Sequence, residues 1–415
     1  MSPVAASAAT PVQQSKYAGL NFSFPDTRSP QRFNLNVNQD FVDYAIRKVH
    51  DYRPSPVFSS SWTAEGPPAG ALTSLADYWA KTYDWRKVEK QMNEQFAHYA
   101  TTVPGNGDYT APIPLHFVHE RSNDNAATPL LLIHGWASTH LEWSRVIEPL
   151  THGSNNKSFH IVAVDLPGFG FSPAATMPGL RAREIGRAFD ALMKQLGYEK
   201  YGIVTTDLGW LIGMWMVEDV HDSIVGHFTD FFLVPASESD LARQARGETT
   251  EEENNFMATA AEWFTKHASY ATVMNQKPSA ISFAFTDSPV GFAGWLWDLK
   301  YGSSDGYLYE HEELITDTML QWIQPPYHAI RAYSDMNQPD QVMLPRSNIP
   351  TGVTQWGGVN GPFTSLAKWP LTPRTWIERM APVTYFKRHD FGGHWPAVTH
   401  PNLWVNDVVE FFSSL

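Results

Sequence analysis

The chain has 415 residues, 43% of them hydrophobic, and a formal net charge of −13. This is enough apolar material for one elaborated domain or two, and the acidic balance argues against a nucleic-acid partner. The lack of cysteine excludes disulfides and thiolate chemistry and is compatible with a cytoplasmic location.

Residues 1–30 are rich in Ala, Ser, Pro and Gln and read as a disordered or extended N-terminus. The first twenty have neither a charged start nor a long apolar core, so no leader is expected. No stretch approaches the roughly 20 apolar residues of a spanning helix, so no transmembrane anchor is expected either. Residues 31–110 read as an N-terminal helical extension, with a helix at Phe41 to Arg47 and two more within 72–98. Residues 111–234 and 346–415 read as an α/β core. Apolar strands Leu131 to Ile133, Phe159 to Val164 and Tyr201 to Val204 each run into a turn, and helices are expected around 141–150 and 180–196. Such strands fit an open, mostly parallel sheet, which binds ligands at the C-terminal strand ends. Residues 235–345 break this rhythm and read as a helical cap inserted over those ends. The strand Val383 to Phe386 and a helix from Asn402 to Phe412 close the chain.

The strand at Tyr201 turns through Thr205-Thr206-Asp207-Leu208-Gly209-Trp210 into an apolar helix from Leu211 to Val217. A sharp strand-to-helix turn is a nucleophile elbow, and an Asp at its tip would attack carbon and form an ester to the protein. His134-Gly135-Trp136 follows another strand, as does the loop that supplies an oxyanion-hole amide in this fold. The Trp136 and Leu208 N–H groups are therefore the expected oxyanion donors. Near the C-terminus, Gly392-Gly393-His394 supplies a His on a flexible backbone, in the order nucleophile first and His last. His394 is the expected general base. Gly302-Ser303-Ser304-Asp305-Gly306 matches Gly-x-Ser-x-Gly, but no strand leads into it, and it reads as a loop. Glu251 to Glu253 read as a solvated face.

These features together resemble the microsomal-type epoxide hydrolases of the α/β-hydrolase superfamily, especially fungal soluble members with the N-terminal epoxide-hydrolase region. The resemblance runs from about Phe33 onward. It rests on Tyr78-Trp79, Tyr83-Asp84-Trp85-Arg86, Leu115-His116-Phe117-Val118-His119, His134-Gly135-Trp136, Leu166-Pro167-Gly168-Phe169-Gly170-Phe171-Ser172, Lys277-Pro278, Thr286-Asp287-Ser288-Pro289-Val290-Gly291 and Gly392-Gly393-His394. It implies an α/β-hydrolase fold and conversion of a small hydrophobic epoxide and water to a vicinal diol. Asp207 would be the nucleophile, and Tyr270 and Tyr333 would donate to the epoxide oxygen. No cofactor or metal is implied, and a homodimer is compatible with the pattern.

The sequence departs from the family at the acid that orients the His. After Pro350-Thr351-Gly352, that position falls on Val359 or Asn360, and no carboxylate lies between Asp340 and Glu378. Asp230, expected at a strand end, is the alternative partner. Thr205-Thr206 replaces the usual Gly-Gly, and Ala137 replaces the usual Pro. Three other functions compete with the diol-forming one. In a biosynthetic enzyme, a hydroxyl of the substrate itself opens the epoxide, and the missing acid favours this. A haloalkane dehalogenase is disfavoured by Leu208 in the halide-binding Trp position. A ligand-binding homologue without turnover is disfavoured by retention of Asp207, His394 and both tyrosines.

Overall fold

A computed structural model describes residues 19–63, 65–153 and 157–415. The expectation for the N-terminus therefore falls largely outside the described residues. From residue 19 the chain runs mostly extended, and Phe22 is buried and bridges Val37.

Among the described residues, nine strands form one sheet. They are β1 (Gln31–Arg32), β2 (His98–Val103), β3 (Ile113–Glu120), β4 (Thr128–Ile133), β5 (Phe159–Val164), β6 (Tyr201–Thr205), β7 (Ile224–Thr229), β8 (Thr351–Trp356) and β9 (Val383–His389). Their spatial order is β1-β2-β3-β5-β4-β6-β7-β8-β9, antiparallel up to β5 and parallel from β5 to β9. This is an α/β-hydrolase fold. The parallel strands are apolar on both faces because helices cover both. Leu131, Ile133, Val162, Val164 and Ile203 pack into one core, and Leu130, Leu132, Ile161, Ala163 and Val204 into the other. Strand β6 lies between β4 and β7, so the elbow leaves the middle of the sheet with the ends of β4 and β7 beside it.

The N-terminal region is helical at Gln39–His50, Ala69–Lys81 and Trp85–Gln95, but it is not helical throughout. Its strands β1 and β2 extend the sheet, because Ala100-Thr101-Thr102-Val103 is a poor helix segment and pairs along its length with β3. A buried chain of side chains fastens this region to the core. His98 Nδ1 meets His116 Nε2 at 3.0 Å, and His116 Nδ1 meets Asp165 Oδ2 at 2.7 Å. The Asp165 Oδ1 in turn takes the His140 amide at 2.8 Å and pairs with His140 Nδ1 at 2.9 Å. Burial pushes the Asp165 carboxyl up, but His140 and His116 together hold it well below the usual carboxylate range.

Helices from Glu238–Ala245 to Pro339–Val342 build the cap over the C-terminal strand ends. An ion pair and a hydrogen bond clamp it to the core, and a second ion pair ties two cap helices together. Asp240 accepts from both Arg379 nitrogens at 2.6 and 2.8 Å, and Glu253 accepts from Arg243 at 2.8 and 3.0 Å and from Trp376 Nε1 at 3.0 Å. The Gly302 to Gly306 segment is not wholly a loop: Gly302 and Ser303 end the helix Pro289–Ser303, and only the residues after them turn. Among the described residues no helix is long and apolar enough to cross a membrane.

Candidate active site

Asp207 stands where β6 turns into the helix Asp207–Asp219. Its φ of +46° lies in the left-handed region, which a residue with a Cβ adopts only where the surrounding structure holds it. Two close approaches demand glycine around it. A Cβ on Gly135 would lie 2.3 Å from the Asp207 side chain, and one on Gly209 would lie 2.2 Å from the Ile133 carbonyl oxygen. The Trp136 N–H donates to Asp207 Oδ1 at 2.8 Å, and the Leu208 N–H also supports the carboxylate. The start of the elbow helix adds its positive dipole end. Burial nevertheless raises the Asp207 pKa, against the stabilising His394 and the two amides.

His394 Nε2 is 3.6 Å from Asp207 Oδ2, the oxygen left free by Trp136. The His394 backbone N–H donates to the Ser303 carbonyl at 2.7 Å, so His394 is seated on the end of a cap helix. The Phe231 ring stands edge-on to the imidazole at 5.4 Å. Burial lowers the His394 pKa, and nearby Lys300 lowers it further while Asp207 pulls it back up. The imidazole is therefore neutral, and competent as a base, at neutral pH.

Tyr270, on the cap helix Ser269–Gln276, and Tyr333, on the helix Tyr327–Met336, meet at 5.9 Å between ring centroids. The Trp136 indole stacks on Tyr270 at 5.9 Å and meets Tyr333 edge-on at 6.0 Å. Both phenols keep their protons, since burial raises each pKa first and Asp207 adds to it. Asp207, His394, Tyr270 and Tyr333 all line one cavity of about 700 Å³. Its walls are otherwise mostly apolar and include Leu211, Phe256, Trp263 and Trp369, with no Lys or Arg.

The structure brings neither expected relay partner into hydrogen bonding with His394. Asn360 is exposed, and its backbone N–H and side-chain amide both donate to Asp305, at 2.6 and 3.1 Å. Asp230 follows β7 and accepts from Trp404 Nε1 at 2.7 Å through Oδ2, while its buried Oδ1 has no protein partner. Burial first, and neighbouring Asp207 as well, raise the Asp230 pKa to about 7. Asp305, just past the end of the cap helix Pro289–Ser303, is buried. Besides Asn360 it accepts from the Gly392 N–H at 2.7 Å, joining the cap, the turn after β8 and the His394 loop. A second residue the sequence did not mark is Glu142, buried on the short helix His140–Trp143 with Oε2 unpartnered. Burial, then Asp230, raise its pKa to about 8. The His116, His140 and Asp165 group has ligand-type atoms near one another, but these are paired with one another or with His98, apart from the His140 Nε2.

Residues 30–143 match the family described as epoxide hydrolase N terminus, and residues 128–261 match the alpha/beta hydrolase fold. Epoxide hydrolase 1 of Sus scrofa is 24% identical, over 94% of this chain and 90% of the pig protein. The juvenile hormone epoxide hydrolase structure from the silkworm Bombyx mori aligns with a TM-score of 0.82 at 23% identity, covering 94% of this chain and 95% of that one. The Aspergillus niger epoxide hydrolase structure aligns with a TM-score of 0.78 at 21% identity, covering 95% and 99%.

Proposed function

We propose that this chain, whose residues 30–143 match the epoxide hydrolase N terminus and 128–261 the alpha/beta hydrolase fold, hydrolyses an uncharged hydrophobic epoxide to a vicinal diol in two steps. The observation that carries this reading is one cavity with a carboxylate at its floor, two protonated phenols opposite and a neutral imidazole beside the carboxylate. In the first step Asp207 Oδ2 attacks an epoxide carbon. The ring C–O bond breaks as Tyr270 and Tyr333 donate hydrogen bonds to the developing alkoxide. In the second step a water oxygen adds to the ester carbonyl carbon, and its proton passes to His394. The tetrahedral oxyanion sits on Asp207 Oδ1, which takes the Trp136 amide, with the Leu208 amide also acting on this carboxyl. Cleavage of the acyl C–O bond then returns that proton to the leaving alkoxide, the second water proton passes from the Asp207 carboxyl to the oxygen opened from the epoxide ring, and the diol leaves with Asp207 ionised again.

Asp230 is the carboxylate we assign to serve the base, in place of Asn360. It lies at the end of the strand beside the elbow strand, with one buried oxygen unspent, and the next residue, Phe231, packs on the imidazole. The lack of Lys or Arg in the cavity favours a substrate without an anionic group.

A single turnover in ¹⁸O-labelled water, with enzyme in excess over aryl and alkyl epoxides, tests the mechanism. Unlabelled diol with label entering Asp207 is expected. Diol that carries label on the first turnover would sink the ester mechanism. An Asp207 adduct that persists without diol would mean that the hydrolytic half is crippled, whereas a cyclic ether from a hydroxyl-bearing epoxide, with no adduct, would favour the epoxide-opening biosynthetic reading that the exposed Asn360 invites.

A further inference from the structure

A second cavity of about 220 Å³ lies on the other side of the His394 turn. The two adjacent residues His394 and Trp395 face the two cavities, the first lining the large one and the second the small one. The small cavity opens between the N-terminal helix Trp85–Gln95, which contributes exposed Gln91, and the core, and its inner wall includes Ser138 and Glu142. At about 30 Å³ per molecule it has room for roughly seven waters.

We propose that this cavity is the water entrance for the hydrolytic half of the reaction, and that Glu142 positions the water at its inner end. The inference rests on the two-step reading above. The large cavity is apolar, and during hydrolysis its mouth side is filled by the alkyl group of the ester, so water arriving from that side would have to pass the substrate. The small cavity offers polar partners instead: Glu142, Lys300, Asp317 and Thr316 line it. Glu142 is 4% exposed and its Oε2 has no protein partner, an arrangement that a bound water satisfies. Glu142 shares the small cavity with Trp395, the residue next to His394, and its charge is felt together with those of Asp230, Lys300 and Asp207. Lys300 is itself fixed, with its ammonium 3.0 Å from Asp317 and 4.2 Å from the Trp395 ring centroid. Glu142 thus acts through the water and not on the epoxide, which makes it a positioning residue.

Glu142→Gln keeps the shape and removes the carboxyl. With full-length enzyme and a styrene-type epoxide, rapid-quench mass spectrometry follows formation and loss of the Asp207 ester separately. The expected result is ester formation at the wild-type rate and ester hydrolysis slower by roughly ten- to a hundredfold, so that adduct accumulates and kcat falls while the alkylation rate holds. Hydrolysis at the wild-type rate overturns the proposal, and so does equal slowing of both steps, which would mark a structural role. Should Glu142→Gln fail to fold, Gln91→Trp at the exposed outer lip carries the test: selective slowing of hydrolysis supports the entrance, and an unchanged ratio of the two rates overturns it. If wild-type enzyme forms no Asp207 ester at all, the two-step reading has failed, and the entrance proposal falls with it.

Discussion

At the scale of single residues, the site sets an anion, two neutral phenols and a neutral imidazole around one cavity. Asp207 is a carboxylate held by two amides, Tyr270 and Tyr333 are acids kept protonated by burial, and His394 is a base kept neutral by burial. His394→Gln should form the Asp207 ester normally and then hold it, lowering turnover by about 10²–10⁴-fold; intact-protein mass spectra would show the adduct, and its absence would count against the base assignment. Tyr333→Phe should slow ester formation by roughly 10²–10³-fold, the size expected for losing one donor to a developing oxyanion, with stopped-flow quenching of the neighbouring Trp136 as the readout. The acid limb of ester hydrolysis follows from the sign of the His394 shift. The neutral form is the working form, and its pKa is lowered, so activity persists as pH falls through about 6.5, the ordinary His value, and is lost only below it. A single-turnover pH profile with a midpoint above that value would contradict this.

At the scale of elements, the elbow depends on helix and strand approaching more closely than any side chain permits. Gly135→Ala would drive a methyl group into Asp207 and move the nucleophile; since a displacement of about 1 Å can cost roughly 10²-fold, the ester-forming rate should fall while thermal unfolding, followed by circular dichroism, changes little. The elements at the strand ends were legible from sequence because each carries its own local pattern: an apolar strand, a turn residue, then a helix. Strands β4, β5 and β6, the elbow and the glycine-flanked His394 all follow from such runs. What escaped has no local pattern. Asp305 sits after a cap helix, and its meaning comes from the Gly392 amide 87 positions away. Glu142 looks like any acidic residue of a short helix until folding buries it beside Asp230. The strands β1 and β2 escaped for a related reason, since an edge strand gains its stability from its partner and not from its own sequence.

At the scale of the whole molecule, cap and core are joined by buried carboxylates whose pairing depends on pH. Arg379 first holds the Asp240 carboxyl well below its ordinary range, and Arg243 first lowers Glu253 to about 2. A carboxyl depressed on folding contributes stability above its unfolded pKa, and that contribution is lost as pH falls through its folded value. Cap attachment through Asp240 should therefore weaken as pH falls below about 3.9, the unfolded Asp range, while the cap's own Glu253–Arg243 pair is lost towards about 2. Limited proteolysis of residues 238–262 across this window is the measurement, and Asp240→Asn should bring cleavage on at higher pH; acid-independent cleavage would refute it. The Ser303 carbonyl and Asp305 carboxylate, both at the end of a cap helix, hold the His394 and Gly392 amides. The roof of the reaction chamber and the seat of its base are thus one joint. A roof that swung away to admit cargo would unseat the imidazole on every cycle.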